Sequence, residues 1–122
     1  MSTTIPLSEI AHGRSGDKGK HANVAIIAYT AAGYDWLRTH LTAETVAAHF
    51  APMASSRVER YEAANVWGLN FVLYDILAGG ASQSLRIDSQ GKTLALALLQ
   101  MPIARPDNLE DMLRPGRGTR DG

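Results

Sequence analysis

The fold of this 122-residue chain is decided by two adjoining stretches, HGRSGDKGKH at residues 12–21 and NVAIIAY at residues 23–29. The first has three glycines, five basic or imidazole side chains and no large apolar group. It has nothing to bury and is predicted to be a loop. The second is a short apolar run rich in β-branched residues, which is typical of a buried strand. The sequence therefore predicts a buried strand directly after a glycine-rich loop.

Hydrophobic periodicity predicts the other elements. The expected strands cover 5–11, 23–29, 57–62 and 84–88, and the expected helices cover 34–41, 42–50, 67–77 and 94–101. Thr42 is the expected N-cap of the second helix, and Pro52 is expected to stop it. Residues 67–77 satisfy both the strand and the helix period, and the helix is favoured because its apolar set is longer. Gly79-Gly80 is expected to end this helix.

The resulting order, β-β-α-α-β-α-β-α, predicts an α+β fold. We expect a ferredoxin-like two-layer sandwich, with a four-stranded, mostly antiparallel sheet and helices on one face. The domain is predicted to cover 1–104, and 105–122 is predicted to be a flexible C-terminal tail. The sheet face without helices predicts a homo-oligomer, a dimer or larger, because the run from Val24 to Ala28 would leave it apolar.

Composition excludes several classes of function. Twelve Lys and Arg balance twelve Asp and Glu, which argues against a strongly cationic nucleic-acid binder. The chain has no cysteine, so a disulfide, a thiolate metal site and a thiol nucleophile are excluded. We expect no cofactor, no membrane association and a cytoplasmic location, since neither a signal peptide nor a membrane-spanning run is visible.

Only residues 12–23 combine features that suggest chemistry. Closely spaced glycines permit backbone conformations in which successive N–H groups form an anion-binding nest. Arg14 can hold a carboxylate or phosphate through two hydrogen bonds, and Lys18 adds a positive charge. The alternative is a solvated loop in which Asp17 caps its own backbone or pairs with Arg14. Asn70 is a further candidate, because its side chain can point towards the loop, although it can equally cap or lie at an interface.

Better-known motifs do not fit this segment. A P-loop needs a hydroxyl where His21 stands, and a nucleophile elbow needs its second glycine one residue later than Gly16. The stretch GDKG at residues 16–19 matches the loop of KH domains, but here it is predicted to join two strands instead of two helices. His12, Asp17 and His21 have no standard metal-ligand spacing, so no metal site is predicted. His12 remains a candidate acid or base, or a histidine that only shapes the loop.

The chain resembles the AtuA-like domain, the ferredoxin-fold module of acyclic terpene utilisation proteins. The resemblance covers roughly Ile5 to Ile103 and is carried by AHGRSGDKG at 11–19, ANV at 22–24, YDWLR at 34–38, LTAE at 41–44, VERY at 58–61, LNFVL at 69–73, GG at 79–80, SLRID at 84–88 and GK at 91–92. The chain departs from the family pattern at Lys20-His21, where the family usually has an acidic or small polar pair.

The resemblance implies a small subunit or accessory domain that pairs with an AtuA-like large chain in acyl-CoA, terpenoid or related carboxylic acid catabolism. In this hypothesis Arg14 and Lys18 bind a carboxylate or CoA phosphate. Ser15, Gly16 and Gly19 add donors, and Asp17 and Asn23 fix the shape of the loop. Two alternatives remain. One is a self-contained hydratase or isomerase that uses His12 or Asp17 for proton transfer, and the other is an oligomerisation module without a ligand.

Overall fold

The computed structural model describes residues 4–18, 21–51, 57–75 and 90–114, apart from the side chains of residues 17, 18 and 90–93. The strands and α-helices of this part of the chain are, in order, β1 (Thr4–Pro6), β2 (Ala11–Lys18), β3 (His21–Ala28), α1 (Ala31–His40), α2 (Ala43–His49), β4 (Arg57–Ala63), β5 (Gly68–Tyr74), α3 (Gln90–Leu99) and β6 (Pro102–Ala104). None of these helices combines the length and the apolar character needed to cross a membrane.

The central feature is a four-stranded sheet with the order β2-β3-β5-β4, in which each neighbouring pair is antiparallel. Helices α1 and α3 both contact β3, and α2 contacts β4. This arrangement confirms the predicted α+β, ferredoxin-like class. The short strands β1 and β6 pair with each other in a separate two-stranded sheet.

The side chains of strand β3 alternate between the two faces of the sheet. Val24, Ile26 and Ala28 are buried in the core, whereas Ala25 and Ile27 are only partly buried. Successive side chains of a strand point to opposite faces. The apolar run that predicted a uniformly apolar second face is thus shared between the two faces.

Helices α1 and α2 begin at hydroxyl caps, and all three helices pack on the buried face. Thr30 Oγ1 accepts a hydrogen bond from Gly33 N at 3.0 Å, and Thr42 Oγ1 accepts one from Thr45 N at 3.1 Å. The second bond confirms Thr42 as an N-cap. Four leucines of the helices and their ends are fully buried against the sheet, namely Leu37, Leu41, Leu94 and Leu98.

The prediction of a loop over residues 12–21 was wrong, because residues up to Lys18 form strand β2 and His21 begins strand β3. The glycine at position 13 reflects close packing within the sheet and not a turn in a solvated loop. A Cβ at Gly13 would lie 2.7 Å from the carbonyl oxygen of Ala25 and 3.7 Å from Leu99 Cδ1. Strand β2 therefore needs glycine at this position to fit between β3 and α3.

The helix predicted over 67–77 was also wrong, since Gly68–Tyr74 is strand β5. Leu69, Phe71 and Leu73 are buried, as the competing strand pattern required. Both periodicities are present in the sequence, and pairing on both sides decides between them. Phe71 lies opposite Val24 of β3 and Arg60 of β4, which supplies a hydrogen-bonding partner strand on each edge.

The chain ends differ from the predictions as well. The first strand ends at Pro6, and a helical turn over Leu7–Glu9 separates it from β2. The last helix begins at Gln90, four residues earlier than the helix predicted over 94–101. In the segment predicted to be a tail, Met112 packs into the core, because the turn at Leu109–Asp111 brings it there. Pro52, Gly79-Gly80 and the predicted strand over 84–88 lie outside the described residues.

We predict that Gly13→Ala lowers the free energy of unfolding by about 1–3 kcal/mol, because the new methyl group collides with backbone and cannot rotate away. Gly16→Ala is the matched comparison. Its Cβ would meet the Asn23 side-chain oxygen at 3.3 Å, and a side chain can move. Urea denaturation of both variants measures the difference. Equal stability of Gly13→Ala and the wild type would contradict the close-approach argument.

Candidate functional site

The sheet face opposite the core carries a set of side chains none of which is fully buried. We call it the open face, and it comprises His12, Arg14, Gly16, His21, Asn23, Ala25, Ile27, Arg57, Glu59, Tyr61, Asn70, Val72 and Tyr74. The register of the four strands aligns these residues in rows across the sheet. The open face is mainly polar and aromatic, with a few apolar side chains at its centre.

One row contains Arg14, the arginine that the sequence proposed as an anion-binding residue. Arg14 lies opposite Ala25, and Ala25 lies opposite Asn70, so the small alanine separates the two longer side chains. Two strand spacings place the Cα atoms of Arg14 and Asn70 about 10 Å apart. Among the described residues, no carboxylate forms an ion pair with Arg14. The row therefore has an arginine on one side and an asparagine on the other, with a small residue between them.

The neighbouring row adds a second amide. Asn23 Nδ2 donates a hydrogen bond to Asn70 Oδ1 at 3.4 Å, which links β3 to β5 on the open face. Gly16 lies opposite Asn23, and its missing side chain leaves room for the Asn23 amide. An amide group has two N–H donors. The pair therefore keeps donors for a ligand after its internal bond is made.

A pocket of about 410 Å³ extends from the amide pair along the open face. It is lined by His21, Ala22, Asn23, Asn70, Val72 and Tyr74. Val72 lies opposite Asn23 and provides an apolar floor. His21 and Tyr74 form the end away from Arg14.

Tyr74 is held by a network at the β4 side of this pocket. Glu59 Oε1 accepts hydrogen bonds from Tyr74 OH at 3.0 Å and from Tyr61 OH at 2.5 Å. The guanidinium of Arg57 lies 4.2 Å from the centre of the Tyr74 ring, and its Nε is 3.3 Å from Glu59 Oε2. The hydrogen bonds from Tyr61 and Tyr74 lower the pKa of Glu59. The hydrogen bond to Glu59 raises the pKa of Tyr61 to about 12.

The structure brings together five of the residues predicted from the sequence. His12, Arg14, Gly16, Asn23 and Asn70 all lie on the open face. Ser15 points the other way, where its Oγ accepts a hydrogen bond from Ala95 N at 3.2 Å. Gly19 and the side chains of Asp17 and Lys18 lie outside the described part of the structure.

The predicted backbone nest does not form along β2. Neither Gly13 nor Gly16 has a positive φ, and the backbone of Ala11–Lys18 pairs with β3 over its whole length. Any anion on this side of the sheet would therefore meet side chains, because the N–H groups of a strand do not converge on one point.

His12 lies at the end of the open face next to Arg14. Its ring stacks on Tyr29, with the ring centres 5.2 Å apart. His12 and Asp17 are five positions apart on β2, which puts their Cα atoms about 17 Å apart. They cannot act together on one reacting atom, so they are alternatives for the proton transfer.

The residues at the far end of the pocket were not predicted. The sequence assigned no role in binding or catalysis to His21, Glu59, Tyr61 or Tyr74. The signal was the alternation in 57–62 and 67–74, which places these side chains on one face if both segments are read as strands. Within the described ranges, no group of three or more His, Cys, Asp or Glu residues could hold a metal ion.

The strand and helix arrangement defines an α+β ferredoxin-like domain, and its open face is mainly polar. Comparison with known families agrees with this class: residues 5–104 match the model of the AtuA ferredoxin-like domain. The match covers most of the chain, and the chain belongs to this family. No curated protein and no solved structure matches it.

We predict that Glu59→Gln returns the pKa of Tyr61 from about 12 towards its ordinary value of 10.0, because the variant lacks the carboxylate that stabilises the neutral phenol. The raised pKa stabilises the folded wild type fully below pH 10, and this contribution is lost as the pH rises towards 12. Ultraviolet titration of the phenolate measures the pKa, and Tyr61→Phe identifies the signal. An unchanged titration in Glu59→Gln would contradict the assignment.

Proposed function

We propose that this AtuA-like domain binds a small carboxylic acid on the open face, with the carboxylate between Arg14 and the Asn23–Asn70 pair. The observation that carries the proposal is the row in which Ala25 separates Arg14 from Asn70. A small residue between two polar side chains leaves space for a ligand of this size. The charge is supplied by Arg14, and the additional donors come from the two amides.

The choice of a carboxylate follows from the electrostatics of the face. Arg57 has Glu59 as its counter-ion, whereas Arg14 has none among the described residues. A guanidinium binds a carboxylate through two parallel hydrogen bonds, and charge-assisted bonds of this kind are stronger than neutral ones. Arg14 is exposed, and within the described part of the chain it has no ion pair that must break before a ligand binds.

The rest of the ligand is expected to be a short chain. From the amide pair, the pocket continues over Val72 towards Tyr74, and its floor is apolar. A chain of carbon atoms would bury the Val72 side chain and leave few polar groups unpaired. This fits the free acyl and terpenoid acids that the family resemblance implies, since the CoA thioester of such an acid no longer has a carboxylate for Arg14.

We propose an accessory binding role ahead of independent catalysis. The alternative hydratase or isomerase needs a proton carrier at the ligand. His12 is the candidate nearest to Arg14, but it is stacked on Tyr29 and lies two residues further along β2. A catalytic role of His12 would be supported by turnover of an unsaturated acyl-CoA that His12→Ala abolishes and that His40→Ala, on helix α1, leaves unchanged.

We predict that Arg14→Gln and Asn70→Ala each weaken binding of hexanoate roughly tenfold or more, because each removes a hydrogen bond to the carboxylate. Arg38→Gln is the matched control, since Arg38 is an exposed arginine on α1, away from the open face. NMR titration of backbone amides measures the affinity and locates the site. Hexanoyl-CoA and CoA alone distinguish a carboxylate from a phosphate.

The proposal fails if hexanoate leaves the amide signals of β3 and β5 unchanged, or if Arg38→Gln weakens binding as much as Arg14→Gln. Binding of CoA that competes with hexanoate and depends on Arg14 would contradict the choice of a carboxylate, because Arg14 would then bind a phosphate.

The predicted homo-oligomer and the predicted AtuA-like large partner stay predictions. The open face offers less apolar surface than the sequence suggested. By contrast, Val66 and Trp67, at the turn between β4 and β5, are 51% and 41% exposed.

We predict a dimer or larger assembly in light scattering at micromolar concentration, and dissociation by Trp67→Ser. A monomeric wild type would contradict self-association, and copurification with the large chain tests the other partner.

A further inference from the structure

We propose that His21 is a specificity-determining residue, and that the preferred ligand is a short acid with a second hydrogen-bond acceptor at the end remote from its carboxylate. This inference rests on the proposed function, because it names the class of acid that the same pocket selects. The carboxylate lies at Arg14 and the amide pair, and the remote oxygen, from a hydroxyl, carbonyl or second carboxylate, lies at His21.

The position of His21 supports this role. His21 lines the pocket together with Tyr74, at the end opposite Asn70. Asn70 and Tyr74 are four residues apart on one strand, so their Cα atoms are about 13 Å apart. A ligand that begins at the amide pair and extends over Val72 therefore reaches His21 after a short chain.

The hydrogen bonding of His21 fixes which ring nitrogen carries the proton. The backbone N–H of Asp75 donates to His21 Nδ1 at 2.9 Å. A neutral imidazole has one donor and one acceptor nitrogen. Since Nδ1 is the acceptor, the proton of the neutral ring is on Nε2. Nε2–H has no partner among the described residues and is the donor that a ligand would meet. The Asp75 carboxylate lies 3.8 Å from Nδ1.

The surrounding structure holds this ring in place. Asp75 has a φ of 61°, a left-handed conformation that is uncommon outside glycine, and its backbone N–H meets His21 in that conformation. The ring of Tyr74 contacts His21 edge-on, with the centres 5.0 Å apart. Tyr74 is in turn fixed by Glu59 and Arg57. A donor held in this way favours an acid with a remote acceptor, because little side-chain freedom is lost when the hydrogen bond forms.

The test compares hexanoate, ω-hydroxyhexanoate and adipate, three acids with equal numbers of carbon atoms. We expect the wild type to bind ω-hydroxyhexanoate and adipate roughly tenfold more tightly than hexanoate. The hydroxy acid separates a hydrogen bond from the effect of a second negative charge. His21→Phe keeps an aromatic ring beside Tyr74 but removes the donor, so it should erase the preference while hexanoate binding still depends on Arg14.

Two further variants complete the design. His21→Gln supplies a new donor and should restore part of the preference, whereas His40→Phe, on α1, should retain all of it. Thermal unfolding establishes that each variant is folded. If His21→Phe keeps the preference, or if the wild type has none while Arg14 is still required for hexanoate, this inference fails and the proposed function stands. If none of the three acids binds, both fail.

Discussion

The pairing of β2 with β3 is the constraint on which the rest of the structure depends. Its register places Gly13 opposite Ile26, where a side chain would collide with the Ala25 carbonyl, and Gly16 opposite Asn23. A slip of one residue would exchange the faces of every side chain in β2. Arg14 would then point into the core against α3, where an unpaired charge is costly. The same register that makes the core therefore also makes the candidate site.

The two glycines of β2 show how one sequence feature serves two purposes. Gly13 allows α3 and β3 to approach each other on the buried side, and Gly16 gives the Asn23 amide its space on the open side. Neither uses the conformational freedom for which glycine-rich segments are usually noted. A glycine-rich, basic segment can thus be a strand with functional side chains, and its binding groups are then side chains and not backbone amides.

The sequence was sufficient for the features that local chemistry determines. Thr42 is a cap wherever a helix follows it, and Val24 to Ala28 is long and apolar enough to form a central strand. The sequence was insufficient where the neighbouring strands decide whether a segment forms a strand or a helix. Residues 67–77 carry both periodicities, and only the neighbouring strands β3 and β4 select between them. Once this segment was assigned to a helix, the role of Tyr74 could not be predicted, and His21 had no visible partner.

The candidate site was partly predictable for a similar reason. Arg14 and Asn23 were proposed because they belong to an unusual segment, and Asn70 because it is a polar residue among apolar ones. Their proximity depends on a register between strands that are far apart in sequence. Asn23 and Asn70 are 47 residues apart, and their hydrogen bond follows from the order β3-β5, which hydrophobic periodicity alone does not specify.

The polarity of the open face affects whether a second copy of the chain could pack on it. A second copy of the chain packed flat on this face would remove Arg14, Glu59 and Arg57 from water. The Arg57–Glu59 pair could be buried intact, but Arg14 has no counter-ion among the described residues of its own chain and would need one from the second copy. A small acid of the kind proposed would supply that counter-ion and leave the other two charges hydrated at the rim. This asymmetry favours a ligand over a flat protein interface at this end of the sheet, and it leaves the exposed Val66 and Trp67 as a separate surface for any partner chain.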